Sequence, residues 1–176
     1  CEDWRTFGHR SSVNADSDVL TACTWDPDGS GPQPEVVVIG GGFNQIGEIP
    51  AENLAIWDGN SWRAFDQSLP GVAAELVFVS HGGLFAVSAV GFNNRALYKL
   101  ESGSWQEKAT FDGEVFAACD SGAGLVVGGS FTRVGDLFSP KIARFDGLQW
   151  HSLGTGMNNN VRALANYRGQ VYAAGD

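Results

Sequence analysis

The sequence predicts an all-β fold, a β-propeller of four-stranded antiparallel blades that forms an incomplete ring of about three and a half blades. The first observation behind this prediction is a tryptophan that recurs with similar neighbours. It occupies positions Trp4, Trp62, Trp105 and Trp150. The second observation is that the intervals hold short runs of strand-forming residues, separated by Gly, Asn and Asp-Gly turn signals. No stretch shows helical apolar spacing, so we expect almost no helix.

The first strand of each unit begins at a valine that is followed by small apolar residues. These blocks start at Val19, Val72, Val115 and Val161. The second strand runs into a glycine pair, Gly40-Gly41 or Gly128-Gly129, and the missing side chains suit a close backbone approach near the axis. In the unit between them, Val87-Ser88-Ala89 stands in place of the glycines.

The third and fourth strands form a hairpin that leads into the recurring tryptophan. The third strand ends at Asp58-Gly59 in one unit and at Asp146-Gly147 in another. This dipeptide favours a tight turn in which both residues take positive φ. The fourth strand begins at the tryptophan itself. Because Trp62, Trp105 and Trp150 share one repeat position, we expect their indoles to pack between blades.

The chain forms one predicted domain, a β-propeller segment spanning 1–176. Its repeats cover about 4–62, 62–105 and 105–150, with a partial repeat at 150–176. An open ring of such units would expose two apolar flanks and a strand edge. We therefore expect either a fragment of a longer polypeptide, which burial favours, or an arc whose ring other chains complete.

Composition excludes several classes of partner. The formal net charge is −9, which disfavours a nucleic-acid phosphate footprint and adhesion to anionic lipid. No apolar run approaches the length of a transmembrane segment. Low charge density with many Gly, Asn, Ser and Trp residues is typical of an extracellular, periplasmic or cell-surface β protein.

The three cysteines predict no disulfide framework. Cys23 and Cys119 fall at the repeat position that Leu76 and Leu164 fill elsewhere, so we interpret both as small core residues. Cys1 leaves three alternatives open: a cleavage or cloning boundary, a half-cystine to a partner, or the lipid-anchored first residue of a bacterial lipoprotein.

Polar loops connect the fourth strand to the next first strand and the second strand to the third, and we call them the rim loops. Their acidic and amide side chains are the candidate binding residues, and they could hold a cation, a glycan or a basic protein. A plain solvated surface is the favoured alternative. The candidates are Asp16, Asp18, Glu48, Glu52, Asp112, Glu114, Asp136, Asn158, Asn159 and Asn160.

One loop resembles the first half of a calcium-binding loop. Asp26, Asp28 and Ser30 supply oxygens at alternate positions before a glycine. The twelfth position is Val37 rather than a bidentate glutamate, so a plain Asx and Gly turn is the favoured interpretation. The three histidines, His9, His81 and His151, show no metal-binding spacing. We predict no metal and no cofactor.

The repeat pattern also carries a family resemblance. Asp-Gly-x-x-Trp-x-x-Leu-Gly at Asp146–Gly154, then Val-x-Ala-Leu at Val161–Leu164 and the Gly-Gly-x-Phe block, resembles the tandem repeats of secreted bacterial β-propeller proteins. These are loosely related to kelch and galactose-oxidase-type repeats. The resemblance implies a scaffold and a binding surface rather than one activity. The copper site of a galactose-oxidase-like enzyme needs paired Tyr and His ligands with a reactive Cys, and no such group is evident in the sequence.

These observations predict a non-catalytic, extracytoplasmic β-propeller scaffold or protein-binding module. Its expected partners are other proteins or further blades of the same polypeptide, and a glycan is a further candidate. Two alternatives stay open. One is the propeller portion of a secreted carbohydrate-active or oxidase-type enzyme whose catalytic residues lie outside this segment. The other is a structural subunit of a larger extracellular assembly.

Overall fold

The computed structural model describes residues 15–176, and every regular element in that range is a β-strand. The strands follow one another in the order β1 Val19–Trp25, β2 Val36–Gly41, β3 Gln45–Ile46, β4 Ile49–Pro50, β5 Leu54–Trp57, β6 Trp62–Ala64, β7 Ala74–Ser80, β8 Gly83–Ala89, β9 Arg95–Glu101, β10 Ser104–Phe111, β11 Val115–Asp120, β12 Leu125–Gly129, β13 Arg133–Val134, β14 Leu137–Phe138, β15 Ile142–Phe145, β16 Trp150–Ser152, β17 Val161–Tyr167 and β18 Gln170–Gly175. The all-β prediction is therefore confirmed. Within the described range no helix is long and apolar enough to cross a membrane.

Three four-stranded antiparallel units repeat along the chain. The first sheet has the order β1-β2-β5-β6, the second contains β7-β8-β9-β10, and the third has β11-β12-β15-β16. Strands β17 and β18 form a two-stranded terminal hairpin. Two short hairpins, β3–β4 and β13–β14, connect the second and third strands in the first and third sheets. The β13–β14 hairpin pairs with β10 and extends the second sheet to six strands.

Each first strand carries a β-bulge one residue after its start. In β1 the ladder passes from Val19 opposite Gly41 to Thr21 opposite Gly40, so Leu20 is the extra residue. A bulge strengthens the local twist of the strand and redirects the side chain of its extra residue. The bulged residues of the four units are Leu20, Glu75, Phe116 and Arg162.

This register corrects the sequence-based alignment of the second unit. Ala74 pairs with Ser88 as Val19 pairs with Gly41, so the first strand of that unit begins at Ala74 and not at Val72. A shift of two residues leaves every side chain on the same face, and alternating hydrophobicity therefore does not detect it.

The same shift changes which residue of the second unit matches the two cysteines. Cys23 and Cys119 lie opposite Val38 and Val126, and the corresponding residue of the second unit is Phe78 rather than Leu76. In the fourth unit the corresponding residue is Ala165, one residue after the predicted Leu164. Both cysteines are half-buried free thiols, packed against different apolar clusters.

The turns before the tryptophans differ from the predicted type. Gly59 has a φ of 96°, but Asp58 does not take positive φ. The Asp58 Oδ1 atom instead accepts the backbone N–H groups of Asn60 and Ser61, at 2.8 and 2.7 Å. Aspartate thus contributes a hydrogen-bond acceptor to a four-residue loop. A two-residue turn with positive φ at both positions occurs at Ser102-Gly103, in the unit that lacks Asp-Gly.

Trp105 and Trp150 pack between adjacent sheets, as predicted, whereas Trp62 packs within its own unit. Trp105 is buried in a cluster that joins the first and second sheets, and its Nε1 donates to the Gln67 carbonyl at 3.3 Å. Trp150 packs against the cluster that joins the second and third sheets, and its Nε1 donates to the Lys108 carbonyl at 3.1 Å. Trp62 is buried within the first unit, against a cluster on its β3–β4 hairpin side. Trp4 lies outside the described residues.

The first strands of successive units contact one another, β1 with β7, β7 with β11 and β11 with β17. Across the first of these contacts, the Val77 N–H donates to Thr21 Oγ1 at 3.0 Å. The glycine pairs allow the close approach predicted for them. A Cβ on Gly128 would lie 2.4 Å from Cγ1 of Val161, in the first strand of the next unit. Gly40 also lies close to its neighbouring unit, because a Cβ on it would be 2.9 Å from that of Ala74.

Candidate binding surfaces

Asp112 binds the β13–β14 hairpin to the second sheet. Its Oδ1 atom accepts the backbone N–H groups of Thr132 and Arg133, at 2.6 and 2.8 Å. The neighbouring Phe111 pairs with Val134 in the ladder. This candidate therefore makes two hydrogen bonds that position a rim loop.

Asp16 has the same role in the first unit. Its Oδ1 atom accepts the N–H groups of Asn44 and Gln45, at 2.8 and 3.2 Å, while Ala15 forms a bridge with Ile46. The hydrogen bonds from Asn44 and then Gln45 hold the pKa of the Asp16 carboxyl below its ordinary value. A two-residue motif therefore repeats, in which an apolar residue pairs with the next hairpin and an aspartate accepts its N–H groups.

The other rim candidates contact different partners. Glu52 accepts a hydrogen bond from Ser68, and Asn160 donates one to Asp176. The remaining candidates are exposed: Asp18, Glu48, Asp136, Asn158 and Asn159. The structure thus places the ten candidates at one end of the strands but does not bring them together into one site.

A charged network that the sequence did not reveal lies beside the bulges. Arg95 is 8 % exposed, and its Nε donates to the carboxylate of the bulged residue Glu75. The Nη2 atom of Arg95 lies 3.5 Å from Oε1 of Glu114, the rim candidate of the third unit. One bulge and one rim loop therefore meet at a single buried guanidinium.

The network continues toward the terminal hairpin. The guanidinium of Arg162 lies 4.7 Å from the ring centroid of Phe116, so the bulged residues of the third and fourth units touch. Arg162 also binds the Asp176 carboxylate with two hydrogen bonds of 3.1 Å. A bulge is visible only as a register shift between paired strands, and so the sequence offered no signal for this contact.

Two clefts open at the end of the strands opposite to the rim loops. They lie between neighbouring sheets, near the connections from first to second and from third to fourth strand. The His81 cleft, between the second and third sheets, has a volume of about 340 Å³. Its lining includes Ser80, His81, Phe85, Lys99, Gly124 and Asp146.

Ser80 and His81 of the His81 cleft contact the neighbouring Asp120, but the three residues do not form a hydrolytic triad. His81 Nδ1 lies 3.0 Å from Oδ2 of Asp120 and 3.2 Å from Oγ of Ser80. A triad places the carboxylate on one ring nitrogen and the serine on the other. Here both neighbours share Nδ1, and the Ser80 hydroxyl also donates to Asp120 at 3.3 Å. The cluster is a polar contact between two sheets.

The second opening, the Trp25 cleft, lies between the first and second sheets and has a volume of about 400 Å³. Trp25 and Phe65 stack in its wall, with ring centroids 6.3 Å apart and planes 19° apart. The sequence held a signal for this cleft. Trp25 stands at the repeat position that Ser80 and Ser121 occupy in the second and third units and Tyr167 in the fourth.

In the loop that resembles a calcium site, the carboxylates of Asp26 and Asp28 accept backbone N–H groups of the loop itself. Asp26 Oδ1 accepts the Asp28 N–H at 3.2 Å, and Asp28 Oδ2 accepts the Gln33 N–H at 3.1 Å. These are the hydrogen bonds of an Asx turn. Over residues 15–176, no three His, Cys, Asp or Glu side chains group closely enough to hold a metal ion.

Comparison with known proteins gives no relative, since no family model, no curated protein and no solved structure matches the chain. The functional argument therefore rests on the surfaces described above.

Proposed function

We propose that the chain is a β-propeller segment that acts as a non-catalytic scaffold or protein-binding module outside the cytoplasm. The observation that carries the proposal is the contact between first strands, which recurs from β1 to β7, from β7 to β11 and from β11 to β17. Sheets that touch in sequence order through the same strand suit a radial arrangement better than two facing layers. The resemblance to secreted bacterial repeats supports the location.

Exposed apolar residues support a protein partner. Val19 and Leu20 on β1 are 49 % and 53 % exposed, and Tyr167 and Tyr172 on the terminal hairpin are 58 % and 54 % exposed. In the three sheets, the strand equivalent to β18 pairs with a third strand, whereas β18 pairs with β17 alone among the described strands. An edge that no other described strand pairs is suited to β-strand addition by an extended segment, either of another protein or of a further part of the same polypeptide.

A complementation experiment tests this proposal. A synthetic peptide that copies residues 141–154 carries the third and fourth strands of the third sheet, and it should add to the edge of β18. The expected result is saturable binding, with slower hydrogen exchange of the β18 amides. A matched peptide with Ala143→Pro lacks one ladder hydrogen-bond donor and should not bind. Equal binding of both peptides, or of neither, would contradict strand addition at this edge.

The radial arrangement needs a second measurement, because strand addition alone does not distinguish a propeller from other folds. Small-angle scattering of the full chain should fit an arc of sheets around one axis. A profile that fits two stacked layers would refute the propeller while leaving the edge of β18 untouched.

A further inference from the structure

We propose that the Trp25 cleft binds a neutral sugar. This site is independent of the proposed scaffold function, because two described sheets form it without any partner. The cleft occurs where adjacent sheets diverge, and its volume of about 400 Å³ falls within the usual range for small-molecule sites.

The apolar part of the cleft provides a stacking surface. Trp25 and Phe65 lie nearly parallel, and Pro27, Ile56 and Leu100 complete the apolar lining. Both stacked rings are only partly buried, although they contact the cluster that joins the first and second sheets. A partly exposed indole suits the C–H face of a pyranose ring, because an aromatic ring presents a negative surface to weakly positive hydrogens.

The polar part of the cleft provides unused hydrogen-bonding groups. Arg63, Asp66 and Gln67 line the same cleft, and none of their side chains makes a hydrogen bond within residues 15–176. The pKa of the Asp58 carboxyl is lowered chiefly by backbone hydrogen bonds, and the charge of Arg63 adds to this effect. The Gln67 main chain is held in place, since its carbonyl accepts the indole N–H of Trp105. The three side chains together offer donors and acceptors, as recognition of hydroxyl groups requires.

The charges of the cleft favour a neutral ligand. Arg63 and Asp66 carry opposite charges, so the cleft favours neither a simple anion nor a simple cation. The net charge of −9 further disfavours an anionic ligand. The His81 cleft at the equivalent place lacks these features, because its Lys99 pairs with Glu101 at 3.1 Å and its His81 pairs with Asp120.

Nuclear magnetic resonance titration of the full chain with maltose, cellobiose, lactose and N,N′-diacetylchitobiose tests the proposal. At least one disaccharide should give saturable shifts confined to residues 25–27, 63–67 and 100–103. Trp25→Ser installs the residue found at this repeat position in two other units, and it should weaken binding about tenfold or more. Asp66→Ala, at an exposed position, should weaken binding without affecting the fold. Phe138→Ser, an exposed apolar residue far along the chain, is the matched control and should not change affinity.

Three outcomes would overturn the proposal. One is the absence of saturable shifts with every sugar, and another is a sugar affinity that both Trp25→Ser and Asp66→Ala leave unchanged. The third is binding of tetramethylammonium or N-acetyltryptophanamide at the cleft in place of sugars, which would assign the stacked rings to a cation or to an aromatic peptide side chain. The peptide experiment at β18 is unaffected by any of these results.

Discussion

Substitution of Gly41 by alanine should destabilise the protein strongly, whereas the same substitution at the adjacent Gly42 should not. A Cβ on Gly41 would lie 2.0 Å from the carbonyl oxygen of Asp18 and 3.0 Å from Cα of Val19. Around Gly42 the nearest atom to such a Cβ is 4.0 Å away. Neither glycine takes positive φ, so the two variants differ in the space available and not in backbone strain.

The magnitude follows from the movement that the clash requires. The Asp18 carbonyl must shift by about 1 Å to reach a normal contact distance, and it also accepts the Gly42 N–H at 3.0 Å. Loss of that hydrogen bond costs about 1 kcal/mol, and overpacking adds about 1–3 kcal/mol. We expect Gly41→Ala to lower the free energy of unfolding by about 3 kcal/mol, which is roughly 6–12 °C in Tm for a chain of this size.

Urea denaturation followed by tryptophan fluorescence measures both variants. Gly42→Ala should lie within about 1 kcal/mol of the wild type, because alanine mainly restricts the unfolded chain. If the free energies of unfolding of the two variants differ by less than about 0.5 kcal/mol, the close approach of Gly41 to the Asp18 carbonyl does not matter for stability and the reasoning fails.

The second sheet shows how a larger residue is accommodated at this register. Ser88 occupies the position of Gly41, and the glycine has moved to the neighbouring loop, where a Cβ on Gly71 would lie 2.1 Å from the Ser88 hydroxyl. The requirement for a small residue is therefore shared between two segments rather than lost. Gly41→Ala lacks such a compensating change.

Three further predictions follow from the hydrogen bonds and burial of single side chains. Asp112→Ala removes the acceptor of two rim-loop N–H groups, so hydrogen exchange at Arg133 should accelerate about tenfold in nuclear magnetic resonance spectra. The N–H of Gln149 above all holds the pKa of the Asp146 carboxyl below its ordinary 3.8. The ionised Asp146 carboxylate therefore stabilises the fold fully above about pH 3.8, and this stabilisation is lost as the pH falls toward the lower pKa of the folded state. In a plot of the urea midpoint against pH, Asp146→Asn should make the decline at acid pH less steep. Burial raises the pKa of the Cys23 thiol from 9.0 to about 11, so iodoacetamide at roughly pH 8 should alkylate a single-cysteine variant about a hundredfold more slowly when folded than in urea.

The sequence predicted features that depend on local periodicity. The tryptophans at Trp105 and Trp150 were predictable because one aromatic residue must fill the same gap between each pair of sheets. The glycine pair at Gly128-Gly129 was predictable because a strand interior without side chains indicates a close neighbour. Each of these signals repeats, and repetition separates a structural requirement from chance.

Features that depend on pairing between distant segments were not predictable. The bulges at Glu75 and Arg162 exist only in relation to a partner strand, and the two-residue shift at Ala74 preserves every alternation. The rim candidates Asp16 and Asp112 were identified as polar loop residues, but their backbone partners lie about 20 to 30 residues away in the chain. Neither polarity nor spacing indicates which carboxylate already accepts hydrogen bonds.

The Trp25 cleft shows how a repeat can acquire a site without changing its framework. The strands, bulges and recurring indoles determine how adjacent sheets pack, and they leave an opening at the equivalent place between both pairs of sheets. The residues around that opening lie at strand ends, where they can vary at little cost to the packing between sheets. Between the second and third sheets, His81 at this opening contacts Asp120. Between the first and second sheets an indole stands where the second and third units have a serine, and the side chains of Arg63, Asp66 and Gln67 line the opening without hydrogen bonds to other described residues. The departure from the repeat, rather than the repeat itself, is therefore where a ligand should be sought.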